Sequence, residues 1–139
     1  KETDIVVVHD GVRPFTTSEM ITATIQEAEQ YGAAITAIPA SDTIKKVSDG
    51  FVKKTISREG LWRVQTPQAF QYELLQQAFK KAKVDSYYGT DEGALIEYLG
   101  KAVKIVPGSV RNIKITQKED LILGESLLSR IKQNFKKNI

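Results

Sequence analysis

The feature that most constrains this chain is a run of three valines, Val6 to Val8, that breaks off into His9-Asp10-Gly11-Val12-Arg13-Pro14. A short β-branched run bounded by glycine and proline reads as a buried strand ending in a loop. In open α/β sheets, ligands bind just beyond the carboxyl ends of the strands. Asp10 and Arg13 are therefore expected at such an edge. One is able to hold a metal or a hydroxyl, and the other to clamp an anion.

The next elements extend this picture. Thr16, Thr17 or Ser18 can cap a helix running to about Tyr31, with Met20, Ile21, Ile25 and Ala28 as its apolar face. Gly32 stops the helix, and Ala33 to Ile38 reads as a second buried strand. Strand, helix and strand make a βαβ unit with a right-handed parallel crossover. With 139 residues, 41% of them hydrophobic, there is material for one core, so a single domain is expected. A buried parallel strand needs covering on both sides. Because the valine run starts almost at Lys1, an element upstream of the chain is expected.

Residues 42–58 differ in kind. Asp49-Gly50 between two β-prone runs is a hairpin signal, but the runs are rich in Lys and do not alternate cleanly, so neither face suits a core. Either the hairpin projects and is held by a second subunit, or it is a solvated edge with Lys as anti-aggregation charge. The segment from Ser57 to Phe70 reads as an extended, rigid loop because Thr66-Pro67 bars helix at Thr66; Trp62 and Phe70 read as packing residues.

Tyr72 to Ala82 is an amphipathic helix with Leu74, Leu75, Ala78 and Phe79 inward, and Thr90 or Asp91 caps a shorter helix ended by Gly100. Ala102 to Val106 is a third strand and Pro107-Gly108 its turn. Asn112 to Thr116 reads as a short strand feeding a capping box, Thr116 to Glu119, and a long final helix through Leu121, Leu127, Leu128 and Ile131. Within that strand Lys114 points away from Ile113 and Ile115, so it either reaches solvent or meets an anion.

Composition narrows the function classes. Without cysteine there is no disulfide framework and no thiolate metal site. No apolar run has membrane-spanning length, so a soluble cytoplasmic protein with no membrane partner is expected. Arg130, Lys132, Lys136 and Lys137 supply four positive charges against a net charge of +3, leaving residues 1–129 at −1. A basic helix end suits the helix dipole without a partner, and no nucleic acid is expected. No Gly-x-Gly or other glycine-rich phosphate loop is present.

Five ordered motifs then carry a resemblance. His9-Asp10-Gly11-Val12-Arg13-Pro14, Asp42-Thr43-Ile44-Lys45, Arg58-x-x-Leu61-Trp62-x-x-Gln65-Thr66-Pro67-Gln68-x-Phe70, Thr90-Asp91-Glu92 and Asn112-Ile113-Lys114-Ile115-Thr116 follow the order seen in 2-C-methyl-D-erythritol 4-phosphate cytidylyltransferases. The chain resembles that family over residues 4–128. The resemblance implies an α/β fold, a partial Rossmann-like nucleotidyltransferase sheet with a projecting β-hairpin arm. It implies a transferase of isoprenoid biosynthesis: the phosphate of methylerythritol phosphate attacks the α-phosphate of CTP, with Mg²⁺ present, and pyrophosphate leaves.

By the same resemblance, Asp10 contacts the sugar alcohol or the metal region, Arg13 and Thr66 place the methylerythritol phosphate, and Lys114 neutralises phosphate charge at the reacting centre. Residues 42–58 form the arm of a homodimer, and Thr43 and Arg58 serve the neighbour's site. Family members hold the CTP triphosphate with an upstream glycine-rich loop and basic residues, and these are not in this sequence. Residues 1–139 are thus expected to be the C-terminal part of such an enzyme, one α/β domain inactive alone, with no CTP loop to assign. Two alternatives stand beside this reading, a ribitol 5-phosphate cytidylyltransferase and a non-catalytic dimerisation or sugar-phosphate-binding module.

Overall fold

The computed structural model describes residues 4–137, with side chains described through Gln133; Lys136 and Lys137, part of the basic helix end, lie outside the described side chains. The chain forms β1 (Ile5–Val8), α1 (Ser18–Tyr31), β2 (Ala33–Pro39), β3 (Ile44–Ser48), β4 (Phe51–Ile56), β5 (Trp62–Gln71), α2 (Tyr72–Val84), α3 (Glu92–Tyr98), β6 (Lys104–Pro107) and α4 (Lys118–Lys137). Four strands make a sheet in the order β1-β5-β2-β6, and β3 and β4 pair separately. This is the α/β architecture expected, with a mixed sheet.

β1 and β2 are both antiparallel to β5, so they run in one direction but are not neighbours, and β6 is parallel to β2. The strand between them comes from the segment read as an irregular loop. Trp62–Gln71 is the longest strand described, and it carries the cis Thr66-Pro67 peptide in its middle. Proline lacks a ladder donor and is normally confined to edges or bulges. Here the β2–β5 register jumps from Ile35↔Gln68 to Ala37↔Val64, so Thr36 alone faces Gln65, Thr66 and Pro67. The proline sits in that bulge, where no ladder bond is demanded of it.

The core lies on both faces of the sheet. Ala33, Ile35 and Phe70 pack with Leu75, Ala78, Ala82, Leu95 and Ile96 of α2 and α3 on one face, and Ala34, Ala69 and Val106 pack with Ala28 of α1 on the other. β2 is buried from Ala33 to Ile38, as its apolar run implies. β1 is not: Val6 and Val8 join the core, but Val7 is exposed, because β1 has a single paired neighbour among the described strands.

Local signals set most helix ends. Thr17 caps α1, accepting from the Met20 N–H, and Gly32 closes it at φ 89°. Asp91 caps α3 by accepting from Ala94 N–H. Buried α1 positions are Thr24 and Ala28, while Ile21 is exposed. On α2, Leu75, Ala78 and Ala82 are buried, whereas Phe79, expected inward, is about half exposed at the rim of a cavity.

Two expectations at the C-terminal end fail. Residues 112–116 are not a strand; the Ile115 N–H donates to Val12 O at 2.9 Å, without a second strand to complete a ladder. The cap of α4 comes from Asp120 instead of Glu119, since its Oδ2 accepts from Thr116 N–H, Thr116 hydroxyl and Gln117 N–H. Leu121 and Leu128 are exposed, because α4 meets the body near Gly124, where a Cβ would lie 3.3 Å from the Ile115 side chain and close to Phe15.

The hairpin matches its signal. Asp49 and Gly50 adopt φ values of 53° and 79°, the left-handed pair that a tight two-residue turn requires. The β2–β5 ribbon continues through Pro39↔Trp62 and Ala40 N–H to Leu61 O into β3 and β4, where every residue but Ile56 is exposed.

Candidate functional site

At the carboxyl end of β1 the chain turns, with Arg13 N–H donating to Asp10 O at 3.0 Å. The turn folds the Arg13 side chain back, so that Nε donates to Asp10 Oδ2 at 3.1 Å and Nη1 to Asn112 O at 2.8 Å. Lys114 Nζ reaches the same Asp10 oxygen at 3.2 Å. The lysine that pattern left between solvent and an anion thus meets a carboxylate. Partial burial alone would raise the Asp10 carboxyl, but hydrogen bonds from Lys114 and Arg13, with their charges, outweigh it and hold the group below its usual value. Arg13 is only 11% exposed, while Lys114 is 47% exposed, so one cation is enclosed by its partners and the other borders solvent.

Thr66 joins this cluster from β5. Its Oγ1 accepts from Asp10 N–H at 3.0 Å and lies 2.9 Å from His9 Nδ1. Asp10, Arg13, Thr66 and Lys114 all line a cavity of about 810 Å³ that extends over β5 to Tyr87 and Asp91. Four of the six expected site residues therefore converge. The other two do not: Thr43 and Arg58 stand at the base of the exposed hairpin, outside that lining, and Arg58 donates to Ser41 O.

Buried amides within those motifs hold the cluster together. Asn112 is fully buried, accepts from the Thr16 hydroxyl at 2.9 Å, and donates to Thr66 O at 2.8 Å. Gln65 donates to Ser109 O at 2.9 Å and to Asn112 O at 3.2 Å. These bonds pin the loop bearing Lys114 to β5 and to Arg13. Gly108 allows the close approach, since a Cβ there would collide with Gln65 Oε1. At the far side of the cavity Gln68 donates to Asp91 Oδ2 at 3.0 Å and accepts from Gly93 N–H at 3.3 Å. Polar residues in a strand that must be buried are the signal that points to such scaffolding.

A divalent cation finds little here. Among the described residues no three His, Asp or Glu side chains converge, and Asp10 Oδ2 is already held by two cationic groups. The metal role assigned to Asp10 by resemblance does not fit this arrangement, because a cation beside that oxygen would face Arg13 and Lys114. What the cluster can do is receive an anion: two cations, one of them half exposed, at the mouth of a cavity edged by hydroxyl and amide groups.

Comparison with known proteins shows the family. The family model for 2-C-methyl-D-erythritol 4-phosphate cytidylyltransferase (IspD) matches residues 1–130. The enzyme of that name from Syntrophus aciditrophicus is 52% identical over 128 residues, covering 91% of this chain and 55% of that protein. The one from Pelotomaculum thermopropionicum is 51% identical, with 91% of this chain and 54% of the relative covered. Among solved structures, the Thermus thermophilus enzyme superposes with a TM-score of 0.83 at 32% identity, covering 91% of this chain and 62% of that one. The 4-diphosphocytidyl-2C-methyl-D-erythritol synthase of Anaerococcus prevotii gives 0.82 at 36% identity, covering 91% and 59%. The chain thus spans about half the length of the curated relatives it matches.

Proposed function

Because the chain belongs to the 2-C-methyl-D-erythritol 4-phosphate cytidylyltransferase family, we propose that its cavity is the polyol-phosphate half of a cytidylyl-transfer site. An oxygen of the methylerythritol phosphate attacks the α-phosphorus of CTP, a new P–O–P linkage forms, and pyrophosphate leaves. Such chemistry is chiefly positioning and charge neutralisation. Arg13, fixed by Asp10 and Asn112, orients the incoming phosphate. Lys114 swings from Asp10 to neutralise charge at the reacting centre. Asp10 keeps both cations in place until substrate arrives and offers its other oxygen, Oδ1, to a polyol hydroxyl. The observation that carries this reading is the convergence of Arg13 and Lys114 on one carboxylate oxygen at the cavity mouth.

The hairpin supports the rest of the reading. Its tip exposes Val47, Phe51 and Val52, with Phe51 74% exposed, and such a surface suits burial against a second copy. We assign residues 42–58 to a dimerisation arm that carries Thr43 and Arg58 to the partner's cavity, attached to a single α/β domain. No helix of the described residues is long and apolar enough to cross a membrane; a cytoplasmic enzyme is the proposed setting.

Calorimetry of the chain with methylerythritol phosphate, ribitol 5-phosphate and CTP, beside a pyrophosphate-release assay, tests the proposal. Uptake of methylerythritol phosphate in preference to ribitol 5-phosphate is expected, without pyrophosphate release, since no glycine-rich triphosphate cradle is present. Binding of ribitol 5-phosphate alone would overturn it.

A further inference from the structure

With a neutral His9 ring, the directions of the hydrogen bonds around Thr66 follow from donor and acceptor chemistry. His9 Nε2 lies 3.2 Å from the Arg13 carbonyl oxygen, and a carbonyl only accepts, so Nε2 carries the imidazole proton. A neutral ring protonated there has a bare Nδ1. That nitrogen is 2.9 Å from Thr66 Oγ1, so the threonine hydroxyl donates to it. The Asp10 backbone N–H, 3.0 Å from the same oxygen, can only donate. The hydroxyl therefore donates its one hydrogen bond to His9 Nδ1 and accepts one from the Asp10 N–H. One lone pair remains, and no donor.

We propose that His9 is a positioning residue that fixes Thr66 as a hydrogen-bond acceptor toward the cavity. Thr66 then reads a hydroxyl donor of the polyol and turns away phosphoryl oxygens, which would meet it lone pair to lone pair. The phosphate is left to Arg13 and Lys114, and the ligand's orientation follows: hydroxyl toward β5, phosphate toward the two cations. This rests on the cavity being the polyol-phosphate site proposed above, whereas the His9–Thr66 arrangement does not.

Because the chain has one histidine, its ring is read without ambiguity. Long-range ¹H–¹⁵N correlation at pH 8 should show the Nε2–H tautomer with an unprotonated Nδ1; an Nδ1–H tautomer overturns the proposal. Calorimetry with methylerythritol phosphate supplies the second arm. Thr66→Val and His9→Leu are each expected to weaken binding about tenfold, the size of one hydrogen bond. His9→Asn, whose side-chain oxygen can accept near the Nδ1 position, should stay within about twofold of the parent, and His9→Leu should add nothing in a Thr66→Val background. Additive losses, or a His9→Asn loss equal to that of His9→Leu, overturn the positioning role. If the parent chain shows the Nε2–H tautomer yet takes up no methylerythritol phosphate, the functional reading fails while the lock on Thr66 stands.

Discussion

Lys114 Nζ lies 3.2 Å from Asp10 Oδ2, although the two residues belong to loops at opposite ends of the chain. The pair is only partly buried, so it stores little stability. In the proposed function it holds a cation at the cavity mouth that an arriving anion can capture. Lys114→Met should therefore reduce affinity for methylerythritol phosphate by about tenfold to a hundredfold, as expected for loss of a charge-assisted hydrogen bond. The melting temperature should change little. Calorimetry and thermal unfolding on the same sample separate the two effects.

The Asp10 carboxyl titrates below its usual value because Lys114 and Arg13 outweigh the effect of burial. A depressed carboxylate stabilises the fold fully above its unfolded value, about 3.9, and that contribution is lost as pH falls through the lower folded value. The cluster should accordingly remain intact at pH 5 and come apart only in stronger acid. Carboxyl carbon shifts of Asp10 followed against pH should show this, and Lys114→Met should move the midpoint upward. An unchanged midpoint would mean that Lys114 does not reach the carboxylate in solution.

Gly108 sits where any side chain would strike Gln65 Oε1 and approach the Thr36 side chain and the backbone of Ala37. Gly108→Ala is expected to destabilise the protein by about 1–3 kcal/mol, the range for overpacking. Because Gln65 would have to release the loop bearing Lys114, ligand affinity should fall as well. Urea unfolding reads the first consequence.

Asn112 has no exposed surface and joins Thr16, Gln65 and Thr66. Asn112→Ala would strand several buried partners, at about 1–3 kcal/mol for each group left unsatisfied. Denaturant unfolding should show a loss toward the upper part of that range, and Arg13 should lose order because the side-chain bonds that hold the loop carrying its acceptor, the Asn112 backbone carbonyl, are gone.

For the arm, Phe51→Asp should shift the chain toward monomer in sedimentation velocity while leaving its circular dichroism unchanged, since Phe51 touches no core cluster. Arg58→Ala should abolish ligand uptake by its partner's site. Mixed dimers of Arg58→Ala with Asp10→Ala should recover one intact site, and no recovery would count against shared sites.

Elements closed by local chemistry were legible in the residues themselves. Asp49-Gly50 dictated the hairpin turn, Thr17 and Gly32 bounded α1, and the run from Ala33 to Ile38, apolar but for Thr36, demanded a doubly covered strand. The motif order also marked Asp10, Arg13, Thr66 and Lys114 as site residues, and the tertiary structure brings these four together.

What the residues alone did not disclose depended on distant partners. Thr66-Pro67 reads locally as a strand breaker; only the mismatch with β2, where Thr36 faces three residues of β5, makes room for a proline in a central strand. Lys114 met a carboxylate, and not solvent, because Gln65 and Asn112 pin its loop beside β1. Asp120 displaced Glu119 as the cap of α4 because the helix begins at Lys118, one residue later than the box from Thr116 to Glu119 requires, which puts Asp120 three residues after Gln117. Sequence determined where the chain turns and which groups are chemically able to bind an anion. Tertiary structure decided which of them meet, because a hydrogen bond or an ion pair forms only within about 3 Å, and that proximity is set by how the sheet is ordered and which loops its bulge holds.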